Sequence, residues 1–137
     1  MASRKTVMEE DAGQLKLGPE FENEDMLTVS EAKILVETVL AQRSRETGGE
    51  VPMTDVMKKT MEYFNIFARF KTQEATYACE RILGNRFHKF ERAQLGTLCC
   101  EDAEEARTLI PSLATKISDE SLQGILDELS TLRKFQD

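Results

Sequence analysis

Apolar residues that recur every three or four positions limit what this chain can fold into. The clearest run is Leu122, Ile125, Leu126, Leu129, Leu132 and Phe135, which lie on one face of a helix and not of a strand. Ser118-Asp119-Glu120 opens that helix with acids at its positive end. Arg133 and Lys134 close it where the helix dipole favours cations. Similar punctuation marks five earlier helices. Thr28-Val29-Ser30-Glu31 reads as a capping box, with Ile34, Leu35, Val39 and Leu40 as the apolar face of a helix running to about Arg45. Thr47-Gly48-Gly49 ends it. The second helix starts near Pro52 to Thr54 and is expected to reach about Phe70, through Val56, Met57, Tyr63, Phe64 and Phe67. The third restarts at Thr72-Gln73-Glu74-Ala75, with Ala78, Cys79, Ile82 and Leu83 as its stripe, and stops at Gly84-Asn85. The fourth covers about Lys89 to Leu98, with Phe90, Ala93, Leu95 and Leu98 on its apolar side. The fifth opens at Asp102 and is closed by Pro111 after Ile110. The fold class expected is all-α, a compact helical bundle over residues 28–137.

Residues 1–27 read differently, as an extended N-terminal arm. Leu15 and Leu17 alternate with polar neighbours, the pattern of a short strand, and Gly18-Pro19 stops it. Phe21, Met26 and Leu27 are large apolar residues among acids. These few side chains cannot offset the backbone entropy of ordering the segment. The arm therefore needs a surface to bind, on its own domain or on a partner. Its candidate binding residues are Leu15, Leu17, Phe21, Met26 and Leu27.

With 137 residues, the chain suits one domain with an arm and needs neither disulfide nor metal to fold. It carries 25 acids against 18 bases, a net charge of −7, which opposes broad nucleic-acid binding. No apolar run approaches a membrane span, and the polar, acidic N-terminus does not read as a signal peptide. Three cysteines, an odd number, suggest a reducing compartment, cytoplasm or nucleus.

Little of the sequence suggests chemistry. The single histidine, His88, has no orienting partner nearby in sequence and reads as a loop or helix-start residue. Cys79, Cys99 and Cys100 with His88 miss the ligand spacing of a zinc site, since adjacent cysteines chelate poorly. Phosphate loops, nucleophile elbows and calcium loops are not found. No cofactor and no catalytic residue is expected. One local excess of bases, Arg81, Arg86, Lys89 and Arg92 with Phe87 and Phe90 between them, could grip a phosphate backbone, with Lys58, Lys59, Arg69 and Lys71 upstream. A solvated face beside core phenylalanines explains it as well.

Four segments carry a family resemblance. They are Leu27-Thr28-Val29-Ser30-Glu31-Ala32; Tyr63-Phe64-Asn65-Ile66-Phe67-Ala68-Arg69-Phe70; Phe90-Glu91-Arg92-Ala93-Gln94-Leu95-Gly96-Thr97-Leu98-Cys99, running into Glu104-Glu105-Ala106 and Ile110-Pro111-Ser112-Leu113; and Leu126-Asp127-Glu128-Leu129 with Lys134-Phe135. In this order, and with the Leu15 to Phe21 arm, they resemble the fourth subunits of eukaryotic RNA polymerase II, one half of its peripheral stalk. The resemblance implies a helical domain of the helicase and RNase D C-terminal type. It implies no catalysis and an arm that packs on the seventh subunit, the barrel-containing stalk partner. It further implies contacts with the polymerase core and regulatory factors, RNA contact mainly through the partner, and support of initiation. Residence in the nucleus follows, with links to mRNA export and decay that extend to the cytoplasm. Two alternatives stay open: an autonomous nucleic-acid-binding helical module, and the paralogous stalk subunit of another nuclear RNA polymerase.

Overall fold

A computed structural model describes residues 9–136. Among them are six α-helices: α1 (Val29–Thr47), α2 (Asp55–Phe67), α3 (Gln73–Leu83), α4 (Lys89–Leu98), α5 (Ala103–Leu109) and α6 (Asp119–Lys134). Short 3-10 turns cover Ala12–Gln14 and Pro111–Leu113. The all-α reading holds.

The helix starts follow from capping chemistry. The Thr28 hydroxyl accepts from the Glu31 amide at 3.1 Å, and the Glu31 carboxylate accepts from the Thr28 amide at 3.0 Å. Two of the amides left orphaned at the head of α1 are thus satisfied reciprocally. Thr54, Thr72, Asp102 and Ser118 cap α2, α3, α5 and α6 in the same way, each accepting from the amide three residues on. Gly48 ends α1 in the left-handed region.

The core is built by α3 to α6. Phe70, Cys79, Leu83, Leu95, Ile110, Leu113, Leu122, Leu126 and Leu129 are buried together. The α6 stripe lies along α3 and α5, as its spacing requires. Helices α1 and α2 sit differently. They pack against each other, and α1 also rests on α3 and α4. Only Ser30 of α1 and Phe64 of α2 are buried, while Leu35, Val39, Val56, Tyr63, Ile66 and Phe67 stay exposed. The apolar faces expected for the first two helices are therefore only partly used by the bundle.

Close approach of α1 to α4 depends on Gly96. A Cβ there would lie 2.6 Å from Thr28 Cγ2 and 3.3 Å from Cys79 Sγ. The contact is reinforced by the Thr97 hydroxyl, which accepts from the Val29 amide at 3.2 Å.

Three expectations need correction. First, α2 ends at Phe67, not near Phe70. Ala68 is extended, and the following backbone bonds to side chains instead of to the preceding turn. Ser30 Oγ accepts from the Phe70 amide, and the Gln136 amide group clasps Lys71 N and Arg69 O. Leaving the helix lets Phe70 reach the core, where it is buried. Second, among the described residues Leu15 and Leu17 form no strand. Asp11 Oδ1 accepts from the Gly13 amide, a 3-10 turn follows, and Leu15 is left-handed with φ 59°. The chain then bonds to itself through a lone bridge between Asp11 and Lys16. A local turn has thus satisfied the backbone that a strand would have paired. Third, the inward side of α4 is Glu91, Leu95 and Gly96; Leu98 is exposed, and Phe90 and Ala93 are half-buried towards the arm.

Candidate partner interface

The arm does not stand off from the bundle. From Gly18 it turns twice, the Phe21 amide donating a hydrogen bond to Gly18 O and the Glu24 amide to Phe21 O, and runs into the cap of α1. Leu17, Phe21, Met26 and Leu27 line an open apolar hollow of about 430 Å³ with Phe90 and Ala93 of α4. Phe21 nonetheless remains 57% exposed. Leu27 also borders a second hollow of about 350 Å³ with Ile34, Leu35 and Tyr77. A third cleft, about 320 Å³, lies between the arm, α3 and α4, and is half polar. The three share Leu27, so one surface runs from the arm over the first turns of α1. Leu15 lines none of these hollows; it is half-buried beside the 3-10 turns.

The four bases Arg81, Arg86, Lys89 and Arg92 do not form one patch. Arg81 borders a groove between α3 and α6 with Leu132 and Gln136. Lys89 and Arg92 border the arm cleft instead. Lys89 Nζ is 2.8 Å from Asp25 Oδ1, and this hydrogen bond holds the Asp25 carboxyl below its ordinary range. Arg92 Nη2 lies 3.7 Å from Glu80 Oε1. Arg86 is exposed in the α3–α4 turn.

His88 acts as the cap of α4. Its Nδ1 accepts from the Phe90 amide at 3.1 Å, which occupies one ring nitrogen. The Glu91 carboxylate closes the cap by accepting from the His88 amide at 2.9 Å. Glu91 is fully buried. It accepts further from Ser112 Oγ at 2.5 Å and Lys116 Nζ at 2.7 Å. Burial pushes its carboxyl up, but the bonds from Lys116, Ser112 and the His88 amide outweigh that and hold it below the ordinary glutamate range. The network ties the head of α4 to the Pro111–Leu113 turn. Sequence reasoning missed it, although Glu91 stands three residues after a helix cap, the capping-box position. Nothing in the local sequence signalled Ser112 and Lys116.

All three cysteines are buried and free. Burial pushes the Cys79 thiol up to about 12 and Cys100 up to about 11, and raises Cys99 as well. Protonated, enclosed thiols are poor nucleophiles and poor metal ligands. Among the described residues no group of three or more His, Cys, Asp or Glu side chains could hold a metal. No helix there is long and apolar enough to cross a membrane.

Comparison with known proteins places the molecule among relatives. Residues 26–133 match the family model described as RNA polymerase Rpb4. Over 133 residues the chain is 87% identical to DNA-directed RNA polymerase II subunit rpb4 of Schizosaccharomyces pombe, covering 97% of this chain and 98% of that protein. It is 33% identical to DNA-directed RNA polymerase II subunit 4 of Arabidopsis thaliana over 135 residues, covering 93% and 96%. With the RPB4 subunit of Saccharomyces cerevisiae it shares 52% identity over 77 residues, 56% of this chain and 35% of the longer relative.

Proposed function

The chain belongs to the RNA polymerase Rpb4 family, that of the fourth subunit of RNA polymerase II, and from that premise we propose that it is a non-catalytic stalk subunit. It forms a heterodimer with the barrel-containing seventh subunit and acts in the nucleus. Residues 1–27 and the first turns of α1 are the partner-binding part, and residues 28–137 form the helical domain. Leu15, Leu17, Phe21, Met26 and Leu27 carry the binding. Through the partner the chain supports initiation, meets regulatory factors and comes near RNA.

The observation that carries this reading is the run of exposed apolar side chains along one path, Phe21, Leu27, Leu35 and Val39. Buried against a second chain, each contributes up to roughly 1.5–3 kcal/mol. The same residues lie outside the core cluster, which centres on α3 to α6.

The test replaces Leu17, Phe21 and Leu27 with Ser in the full chain and measures affinity for the seventh subunit. Binding should fall at least a hundredfold while the helical circular dichroism spectrum and thermal midpoint hold. Unchanged affinity refutes the reading.

A further inference from the structure

One end of the bundle locally reverses the charge of the chain. Gln136 ties its two sides together. The Gln136 side-chain oxygen accepts from the Lys71 amide at 2.7 Å, and its side-chain nitrogen donates to Arg69 O at 2.8 Å. Arg69 and Lys71 therefore stand beside Arg133 and Lys134, the last residues of α6. The Cys99 thiol reflects the same closeness: burial raises it, and both Arg133 and Arg69 draw it back. Arg81 belongs to this end as well, through the groove it borders with Leu132 and Gln136. Among the described residues none of these five bases enters an ion pair. The chain as a whole carries −7, so the patch is a local excess that its own acids leave unmatched.

The bases frame a mostly apolar groove of about 380 Å³ between α3 and α6. Ala75 and Ala78 are small and leave a trough beside Leu132. Glu74 is the one acid in the lining. Phe135, next in sequence to Gln136, is 79% exposed. Lys71 precedes α3 and Arg81 lies in its last turn, so the framed length is about 15 Å, or roughly three turns of a helix. The groove uses another face of α3 from the arm cleft, which takes Thr76, Glu80 and Leu83. A single nucleic-acid strand suits it poorly. Such a strand stacks successive bases on aromatic rings, and the lining holds none. A long polyanion also meets the acidic remainder of the chain. A short acidic segment does not, since salt screens charges beyond about 8 Å.

We propose that the α3–α6 groove docks a short acidic amphipathic helix of a regulatory protein, with aliphatic side chains against Leu132, Ala75 and Ala78 and carboxylates towards Lys71, Arg81, Arg133 and Lys134. This rests on the reading above that regulatory factors meet the chain, and it adds the place and the chemistry of that meeting. The apolar floor supplies the contact area of a helix laid in a groove. The cations set its orientation, speed the encounter and disfavour basic segments. The stalk partner keeps the arm and the first turns of α1, so both can be bound at once.

The test titrates the full chain into a fluorescein-labelled helical peptide with leucines at three-four spacing and glutamates on both flanks. The same peptide with Gln for every Glu, and a single-stranded RNA of similar length, are the comparison probes. At physiological salt the glutamate peptide should bind at least about tenfold tighter than the glutamine peptide and weaken as salt is added. Combining Lys71→Gln, Arg81→Gln and Lys134→Gln, all exposed side chains, should remove roughly tenfold or more of that affinity. Lys58→Gln with Lys59→Gln takes two charges from α2 and should leave binding within about twofold. A thermal midpoint within about 2 °C of the parent for both variants separates a lost site from a lost fold. Equal binding of the two peptides, or no binding of either, overturns the proposal. An equal loss in the α2 variant overturns it too, since general attraction and not a site would then act. Tighter binding of the RNA through the same three bases makes the groove a nucleic-acid face. Displacement of the peptide by the seventh subunit makes it part of the stalk interface; either result overturns the proposal. Binding of the seventh subunit to the unsubstituted chain is measured separately, so the heterodimer reading and this proposal can fail independently.

Discussion

Replacing Glu91 by Gln tests whether a buried carboxylate holds two distant parts of the bundle together. The side chain is fully buried and accepts three hydrogen bonds, from the His88 amide, Ser112 Oγ and Lys116 Nζ. Gln keeps the volume and one carbonyl oxygen, so the cap to His88 can survive. The charge is lost, and one of the two oxygens that Ser112 and Lys116 use becomes a donor. Hydrogen bonds to a charged group contribute about 1.5–3 kcal/mol each. Lys116 is one-third exposed and can return to water, so its share lies at the low end. The substitution should therefore cost about 3 kcal/mol, which for a domain of this size lowers the thermal midpoint by roughly 10 °C. Urea denaturation at pH 7, followed by circular dichroism, measures it directly.

The pH dependence supplies a second readout. The folded carboxyl titrates below its unfolded value of about 4.5. Folding therefore gains from the ionised form. That contribution is complete above the unfolded value and is lost as pH falls through the lowered folded value. The parent protein should lose stability on acidification below about pH 4.5 more steeply than Glu91→Gln, and the two curves should converge in acid. A loss under about 1 kcal/mol at pH 7, or a constant gap between the curves down to pH 2, would refute the claim that an ionised Glu91 clamps α4 to the Pro111–Leu113 turn.

The close contact of α1 with α4 gives a further test. Gly96→Ala gains up to about 1 kcal/mol of helix propensity, but its Cβ would stand 2.6 Å from Thr28 Cγ2. Overpacking should win, for a net loss of about 1–2 kcal/mol in urea denaturation, with faster amide exchange at the head of α1. The thiols should be unreactive in the folded state. At pH 8 a disulfide reagent should modify Cys79, Cys99 and Cys100 only at the rate of unfolding, and all three at once in denaturant. Asp25→Asn removes an ion pair whose acid is almost wholly exposed, and the thermal midpoint should not move measurably.

The helical fold was legible because its signals are local. The capping Thr28, Thr54, Thr72, Asp102 and Ser118 each bond an amide three residues away, so short windows of sequence contain the whole interaction. The α6 stripe is likewise complete within one helix and is buried as its spacing demands. Of what sequence misjudged, one element depends on a distant residue and the other on a competing local turn. Phe70 lies in phase with the apolar positions of α2, but Ser30, forty positions earlier, takes its amide and draws it out of the helix. The alternation of Leu15 and Leu17 is a strand pattern, but Asp11 and Gly13 form a turn that a period-two reading does not weigh.

The candidate surface was partly legible for the same reason. Phe21, Met26 and Leu27 stood out as apolar residues without local company, and they do border exposed hollows. The basic cluster is spread over two hollows because helix geometry separates residues that sequence counts together. Arg81 and Arg92 lie eleven positions apart on successive helices. Yet α3 turns one towards α6 and α4 turns the other towards the arm. Sequence proximity across a helix–turn–helix therefore says little about a shared face. The same geometry that disperses the bases brings Arg92 beside Met26 and Leu27, sixty-odd positions away, and makes it part of the arm's surface.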